Sequence, residues 1–210
     1  MDFSLIETMR WTPENGFLRL EHHLRRLSRS ADALGFRQPQ NAGKHLGDAV
    51  DGDEALRVRL VMSFRGKIEV TTAPFVMQSQ DTVWKIRIGA TKLRSDDPLY
   101  RHKTSRREPY EAARAEFSTD EVDEVLLTNE RGEMCEGTIT NLFVEDEEGM
   151  LLTPPITSGI LPGILRADLI RARRAKGAIL TPAMVQDAML AGRKIFVGNS
   201  LRGLIQAELV

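Results

Sequence analysis

Leu20, Leu24, Leu27, Ala31 and Leu34 recur at steps of three and four, with charged and polar residues between them. That period predicts an amphipathic helix from about Glu21 to Leu34, with one face buried and Gly35 suited to its end. Upstream, Phe3 to Trp11 mixes apolar residues with threonine and reads as a strand. Thr12-Pro13-Glu14-Asn15-Gly16 is turn chemistry, and Phe17 to Leu20 reads as a short return strand. Asn41 to Val50 predicts a second, shorter helix, and Ala55 to Phe64 with Lys67 to Ala73 flanks Arg65-Gly66 as an antiparallel hairpin. This order makes a small α+β domain of residues 1–79, ending in the polar connection Gln78 to Thr82.

Residues 80–210 read as a larger, strand-rich domain that opens with the alternating Val83 to Gly89. After Lys103, Thr104 or Ser105 can cap a helix to about Phe117, with Pro109 near its first turn. Glu124 to Thr128, Glu133 to Gly137, Asn141 to Glu145 and Met150 to Thr153 form a meander. Its turns are Asn129-Glu130-Arg131-Gly132 and Asp146-Glu147-Glu148-Gly149. Gly163 to Lys176 predicts a helix ended by Gly177, and Thr181-Pro182 caps another to about Leu190. A late strand, Lys194 to Val197, leads into Gly198-Asn199-Ser200.

Composition narrows the partners. The 210 residues are 41% hydrophobic and 28% charged with a formal charge of -1, so bulk electrostatics draw the chain neither to nucleic acid nor to anionic lipid. One cysteine, Cys135, allows no internal disulfide, and Met1 to Ser4 lacks the basic start and apolar core of a secretory signal. The cytoplasm is therefore the expected location. Apolar runs such as Val125-Leu126-Leu127 fall far short of the ~20 residues that cross a bilayer. His22 and His23 are neighbours about 100° apart on a helix and cannot chelate one metal, so structural roles and no metal are expected. The basic run Arg171 to Lys176 falls in the last turns of a predicted helix, where cations complement the dipole.

Several residues carry possible chemistry. Lys103 stands where irregular chain gives way to a helix, and Arg101, Arg106 and Arg107 beside it are either plain surface charges or a cationic setting that lowers the pKa of an amine. Glu136 ends a strand between Cys135 and Gly137, with no basic residue adjacent to pair with. Gly163-Ile164-Leu165-Arg166 opens a helix whose first amides lack intrahelical acceptors and favour an anion. Asn199-Ser200 offers a hydroxyl and amides of the same kind. Arg26, beside the apolar stripe of the first helix, can grip phosphate bidentately. Cys135 has no neighbouring base and reads as a buried spectator thiol.

Taken in order, the segments Glu7-Thr8-Met9-Arg10, His23-Leu24-Arg25-Arg26-Leu27, His102-Lys103-Thr104, Glu136-Gly137-Thr138-Ile139-Thr140-Asn141-Leu142-Phe143 and Gly159-Ile160-Leu161-Pro162-Gly163 resemble the class IV aminotransferases, the fold-type IV enzymes of pyridoxal 5'-phosphate (PLP). Within that family Lys103-Thr104-Ser105-Arg106-Arg107 and Asn199-Ser200-Leu201-Arg202-Gly203 are most similar to the aminodeoxychorismate lyase branch. The resemblance implies an α+β, two-domain subunit like D-amino acid aminotransferase, with PLP in the cleft between domains, a small-molecule substrate and a homodimer.

It also implies roles. Lys103 would hold PLP and shuttle protons, and Glu136 would meet the pyridine nitrogen, with Gly137 letting the backbone approach the ring. Arg26, Ile164, Leu165, Asn199 and Ser200 would serve the cofactor and its phosphate. Thr8 matches a threonine held to protonate the leaving enolpyruvate in the lyase, and Arg107 and Arg202 are candidate anchors for substrate carboxylates. Branched-chain transaminases commonly carry a tyrosine five residues after the lysine; here Glu108 stands there and Tyr110 two residues on.

Overall fold

The computed structural model describes residues 2–210, which fold as two units. The first runs through Met77 and also takes in His102–Arg106 and Ser200–Arg202. Its elements are β1 (Leu5–Thr12), β2 (Gly16–Phe17), α1 (Leu20–Ala33), α2 (Ala42–Asp48), β3 (Leu56–Met62) and β4 (Ile68–Pro74), and its antiparallel sheet has the order β2-β1-β3-β4. Leu27 and Ala31 of α1 pack with Leu5 and Met9 of β1 and Val58, Leu60 and Met62 of β3, so the stripe that predicts the helix is the face that makes the core. Gly35, at φ +71, takes the left-handed turn that follows the helix. The return strand is shorter than the sequence predicts. Arg19 adopts a left-handed conformation at φ 60, and α1 begins at Leu20.

The stretch around Lys103 lies along β1. Ile6 N donates to Lys103 O at 2.8 Å and Ser105 N to Ser4 O at 2.9 Å, on either side of an antiparallel bridge between Leu5 and Thr104.

The second unit comprises Gln78–Arg101, Arg107–Asn199 and Gly203–Val210. It contains β5 (Val83–Leu93), α3 (Glu108–Arg114), β6 (Glu124–Asn129), β7 (Met134–Gly137), β8 (Asn141–Glu145), β9 (Leu151–Thr153), α4 (Ile164–Arg171), β10 (Ala175–Gly177), α5 (Pro182–Leu190), β11 (Ile195–Asn199) and β12 (Gly203–Leu209). The strand order is β10-β9-β8-β11-β12-β5-β6-β7. A further pairing of β7 with β8 closes six of these strands on themselves, which removes open edges. Every residue of β6 and β7 is buried. Trp84, Ile86, Leu126, Leu142, Val144, Val185, Ile195, Val197 and Ile205 form the largest core cluster here.

Three expectations need correction. The helix after Lys103 starts at Glu108, because Thr104 is engaged in the bridge to Leu5 and the Pro109 ring clashes with a helical carbonyl four residues back. The helix predicted from Gly163 to Lys176 stops at Arg171. Arg173 turns left-handed at φ 56, and Ala175–Gly177 joins β9 as a parallel strand. Of the basic run, therefore, only Arg171 faces a helix end, while Lys176 pairs with Asp146 at 3.0 Å. Finally, β12 follows Ser200 where no strand was expected, pairing with β11 and β5.

Candidate active site

In the first unit a buried polar chain runs from β1 through α1 to the Ser200 stretch. Glu7, 1% exposed, accepts from Arg26 Nε at Oε1 (2.8 Å) and from Arg26 Nη2 at Oε2 (2.7 Å). Its Oε2 also meets His23 Nδ1 at 2.6 Å, and His23 Nε2 meets Ser200 Oγ at 2.9 Å. The spacing is helical: His23 and Arg26 are three apart on α1 and turn toward the same strand residue. Burial alone would raise the Glu7 carboxyl. The charge and hydrogen bonds of Arg26, with help from His23, outweigh it and hold the group at about 2, so Glu7 is a carboxylate. Burial pushes the His23 imidazole below its usual value against the opposing pull of Glu7, and the nearby charges of Arg26 and Lys103 push the same way.

Lys103 is held against β1 through its carbonyl, which accepts from Ile6 N beside the Leu5–Thr104 bridge, and its charge acts on His23. The neighbouring His102 Nδ1 meets Ser30 Oγ of α1 at 2.9 Å, tying this stretch to the helix. Arg106 lies over the Phe3 ring at 5.2 Å and Arg202 over the Phe75 ring at 6.0 Å.

The second unit holds Glu136, only 4% exposed. Three neutral donors fix its carboxylate: Tyr110 OH (2.8 Å) and Leu161 N (3.0 Å) at Oε1, and Asn141 Nδ2 (3.0 Å) at Oε2. Burial, followed by the adjacent Glu136, pushes the Tyr110 phenol well above its ordinary value, so it stays a donor. Asn141 Nδ2 also donates to Leu161 O, and a Cβ on Gly163 would come within 1.9 Å of Asn141 Oδ1. Gly163 has an ordinary backbone, φ -62. It is glycine because Asn141 occupies the space beside it.

Gly137 has a similar cause. Glu124, fully buried, accepts from the amides of Val125, Thr138 and Ile139 and the hydroxyls of Thr138 and Thr140, which folds the turn after β7. A Cβ at residue 137 would lie 2.7 Å from the Glu124 carboxyl carbon. The structure thus traces Gly137 to this stitch of side chains, where the sequence suggests an approach to a ring.

Gly163 is the N-cap of α4, and no side chain caps that end, so the amides of Ile164 and Leu165 present the donors and positive dipole end that suit a phosphate. Gly198 lets β11 pack closely beside this end, since a Cβ there would meet Gly203 O at 2.7 Å and Leu165 Cδ2 at 2.9 Å. Asn199 Nδ2 donates to Ile139 O at 3.1 Å. Arg107 donates to Thr138 O and lies over the Tyr110 ring at 4.8 Å. The Cys135 thiol is buried and pushed up from its ordinary value, and it donates to Ser158 O at 3.1 Å, as a spectator would.

Within the first unit, then, Lys103, Arg26 and Ser200 share one polar neighbourhood. In the second, Glu136 and the start of α4 are linked through Asn141 and Gly163. Sequence reasoning missed Tyr110 and Asn141 as the partners of Glu136, Glu124 as the stitch, and Glu7 and His23 as the partners of Arg26 and Ser200. For His23 the usable signal was its spacing of three from Arg26 on a helix facing a strand that carries one acidic residue.

The match to the family "Amino-transferase class IV" covers residues 4–210. A crystal structure of a candidate amino-acid aminotransferase from Mesorhizobium loti is 48% identical, with a TM-score of 0.94 and full coverage of both chains. One of a candidate 4-amino-4-deoxychorismate lyase from Legionella pneumophila shares the fold at 22% identity and TM-score 0.82, covering 98% of this chain and 82% of that one. A candidate branched-chain-amino-acid aminotransferase from Thermotoga maritima is 28% identical over 83% of this chain and 68% of its own length. The chain belongs to the class IV aminotransferases and is a PLP-dependent enzyme. Its donors fit that cofactor: an amine, a buried carboxylate, and a helix start and arginine suited to phosphate. No helix among the described residues is long and apolar enough to cross a membrane.

Proposed function

We propose that this enzyme is a lyase that converts 4-amino-4-deoxychorismate to 4-aminobenzoate and pyruvate. The observation that carries the reading is the pairing of the Lys103 stretch along β1, the strand that carries Thr8. The lyase reaction needs two proton carriers, one for the proton at the amine-bearing carbon and one for the departing enolpyruvate. When bound, PLP would supply an electron sink for that carbon. Lys103 then holds the abstracted proton, and the Thr8 hydroxyl supplies the other. Glu136, oriented by Tyr110, Leu161 and Asn141, would hold the pyridine nitrogen. Arg26, Ser200 and Asn199, and the Ile164 and Leu165 amides, are the groups that would hold the phosphate. The substrate is a dicarboxylate, and Arg107 and Arg202 are the assigned anchors.

Incubation with aminodeoxychorismate and PLP in the absence of any 2-oxo acid tests the reading. We expect 4-aminobenzoate and pyruvate in equal amounts. Lys103→Ala should lose at least about a thousandfold in rate and no longer trap the cofactor on borohydride reduction, and Thr8→Val should lose about 10²-fold in kcat. No product without a 2-oxo acid, but turnover of an amino acid once one is added, would make the enzyme an aminotransferase. That second reading is favoured by the 48% identity to the Mesorhizobium loti protein. Against it stands Glu108 in place of the tyrosine expected five residues after Lys103. A homodimer in the cytoplasm completes the proposal, and light scattering of the purified protein checks the assembly.

A further inference from the structure

His23 has a role beyond packing. Glu7 is a carboxylate, which can only accept, so the hydrogen bond at 2.6 Å requires a proton on His23 Nδ1. The tautomer is thereby set, and the 2.9 Å contact between Nε2 and Ser200 Oγ has just two possible directions. With a neutral ring, Nε2 is bare and the Ser200 hydroxyl must donate to it, pointing its proton inward. With a protonated ring, Nε2 donates, and the hydroxyl is released to donate elsewhere.

A phosphate dianion accepts only and needs that hydroxyl turned outward. Turning it while the ring stays neutral would strand a buried acceptor without a donor, since His23 is 1% exposed. Taking a proton from solvent onto Nε2 avoids that cost, and the dianion and Glu7 both stabilise the resulting cation.

We propose that His23 is a positioning residue that aims the Ser200 hydroxyl, binding one proton at Nε2 when a phosphate group docks against Ser200 and Arg26. This rests on the reading of Ser200 and Arg26 as phosphate ligands. Facing the imidazole are Glu7 from β1, Arg26 from its own helix, Lys103 from the stretch paired with β1, and Ser200, whose carbonyl accepts from Arg19 Nη1 at 3.5 Å. Glu7 is the one acid in this set and favours the protonated ring. Arg26 and Lys103 oppose it, and burial keeps the ring neutral until an anion arrives.

The sign follows from linkage. Binding takes up a proton, so affinity falls as pH rises through the pKa of the phosphate-bound His23, by up to about tenfold per pH unit. Inorganic phosphate is the probe, titrated into cofactor-free protein at pH 7.5 and 8.5, where it is mostly dianion and cannot condense with Lys103. Wild type should bind about tenfold more weakly at the higher pH. His23→Asn, which keeps a donor toward Glu7 but cannot take the proton, should show little change, and its retained Lys103 controls for titration of that amine. Equal pH dependence in the two proteins overturns the inference. If Ser200→Ala and Arg26→Leu leave phosphate affinity unchanged, the reading of the phosphate site fails instead. Nitrogen NMR of the wild-type His23 ring gives an independent result should His23→Asn not fold. The Nε2 signal should move from bare to protonated on adding phosphate, and a ring that stays neutral overturns the proposal.

Discussion

Single residues here are explained by their partners more than by their own chemistry. Glu7 is buried as an anion because Arg26 and His23 meet it, and its lowered pKa is also a stability statement. A carboxyl held down in the folded state stabilises above its unfolded pKa of about 4.3 and loses that contribution as pH falls toward about 2. Denaturant titrations should show stability dropping by a few kcal/mol across that window, and Glu7→Gln should flatten part of the drop. At neutral pH Arg26→Leu should cost about 3–5 kcal/mol by leaving the buried carboxylate with too little compensation. Gly163→Ala should push Asn141 off Glu136. We expect a loss of about 1–3 kcal/mol in thermal unfolding and weaker PLP binding by fluorescence quenching, although the backbone at 163 accommodates alanine.

Elements end where local rules meet a tertiary competitor. The cap of α5 was legible in Thr181-Pro182. Thr181 Oγ1 accepts from Met184 N at 3.3 Å, and Thr181→Ala should cost about 1 kcal/mol in urea. α2 offers the opposite case. Gly47 is helical and exposed, with open space around its missing Cβ, so Gly47→Ala should stabilise by about 0.5–1 kcal/mol. The end of α4 was not legible, because Ala172 to Lys176 is acceptable helix sequence. β9 offers Ala175–Gly177 a parallel ladder and Asp146 offers Lys176 a charge, neither of which adjoins them in the chain.

At the scale of the whole molecule, the first unit is built from three separate stretches of chain. The segment from Val76 to Asp81 is exposed throughout, so limited thermolysin digestion should cut near Val76 or Met77. The nicked protein should nonetheless stay together on a native column and separate in denaturant, because Lys103 and Ser200 lie beyond the cut and belong to the fold before it. An expressed fragment 1–77 should give a weaker, less cooperative unfolding transition, since β1 loses its neighbour at Thr104 and His23 its partner at Ser200.

Periodicity and turn chemistry by themselves determined α1, the β3–β4 hairpin, the β6 to β9 meander and α5, since short-range rules of face, cap and turn act within a few residues. The motifs around Lys103, Glu136 and Gly163 likewise marked the family. What only tertiary structure decided is who meets whom. Tyr110 finds Glu136, Glu124 folds the turn that demands Gly137, and Glu7 joins His23 to Arg26. Those choices turn on desolvation and hydrogen bonding between residues far apart in the chain. Burial makes each polar group depend on a particular partner, and no local pattern names that partner.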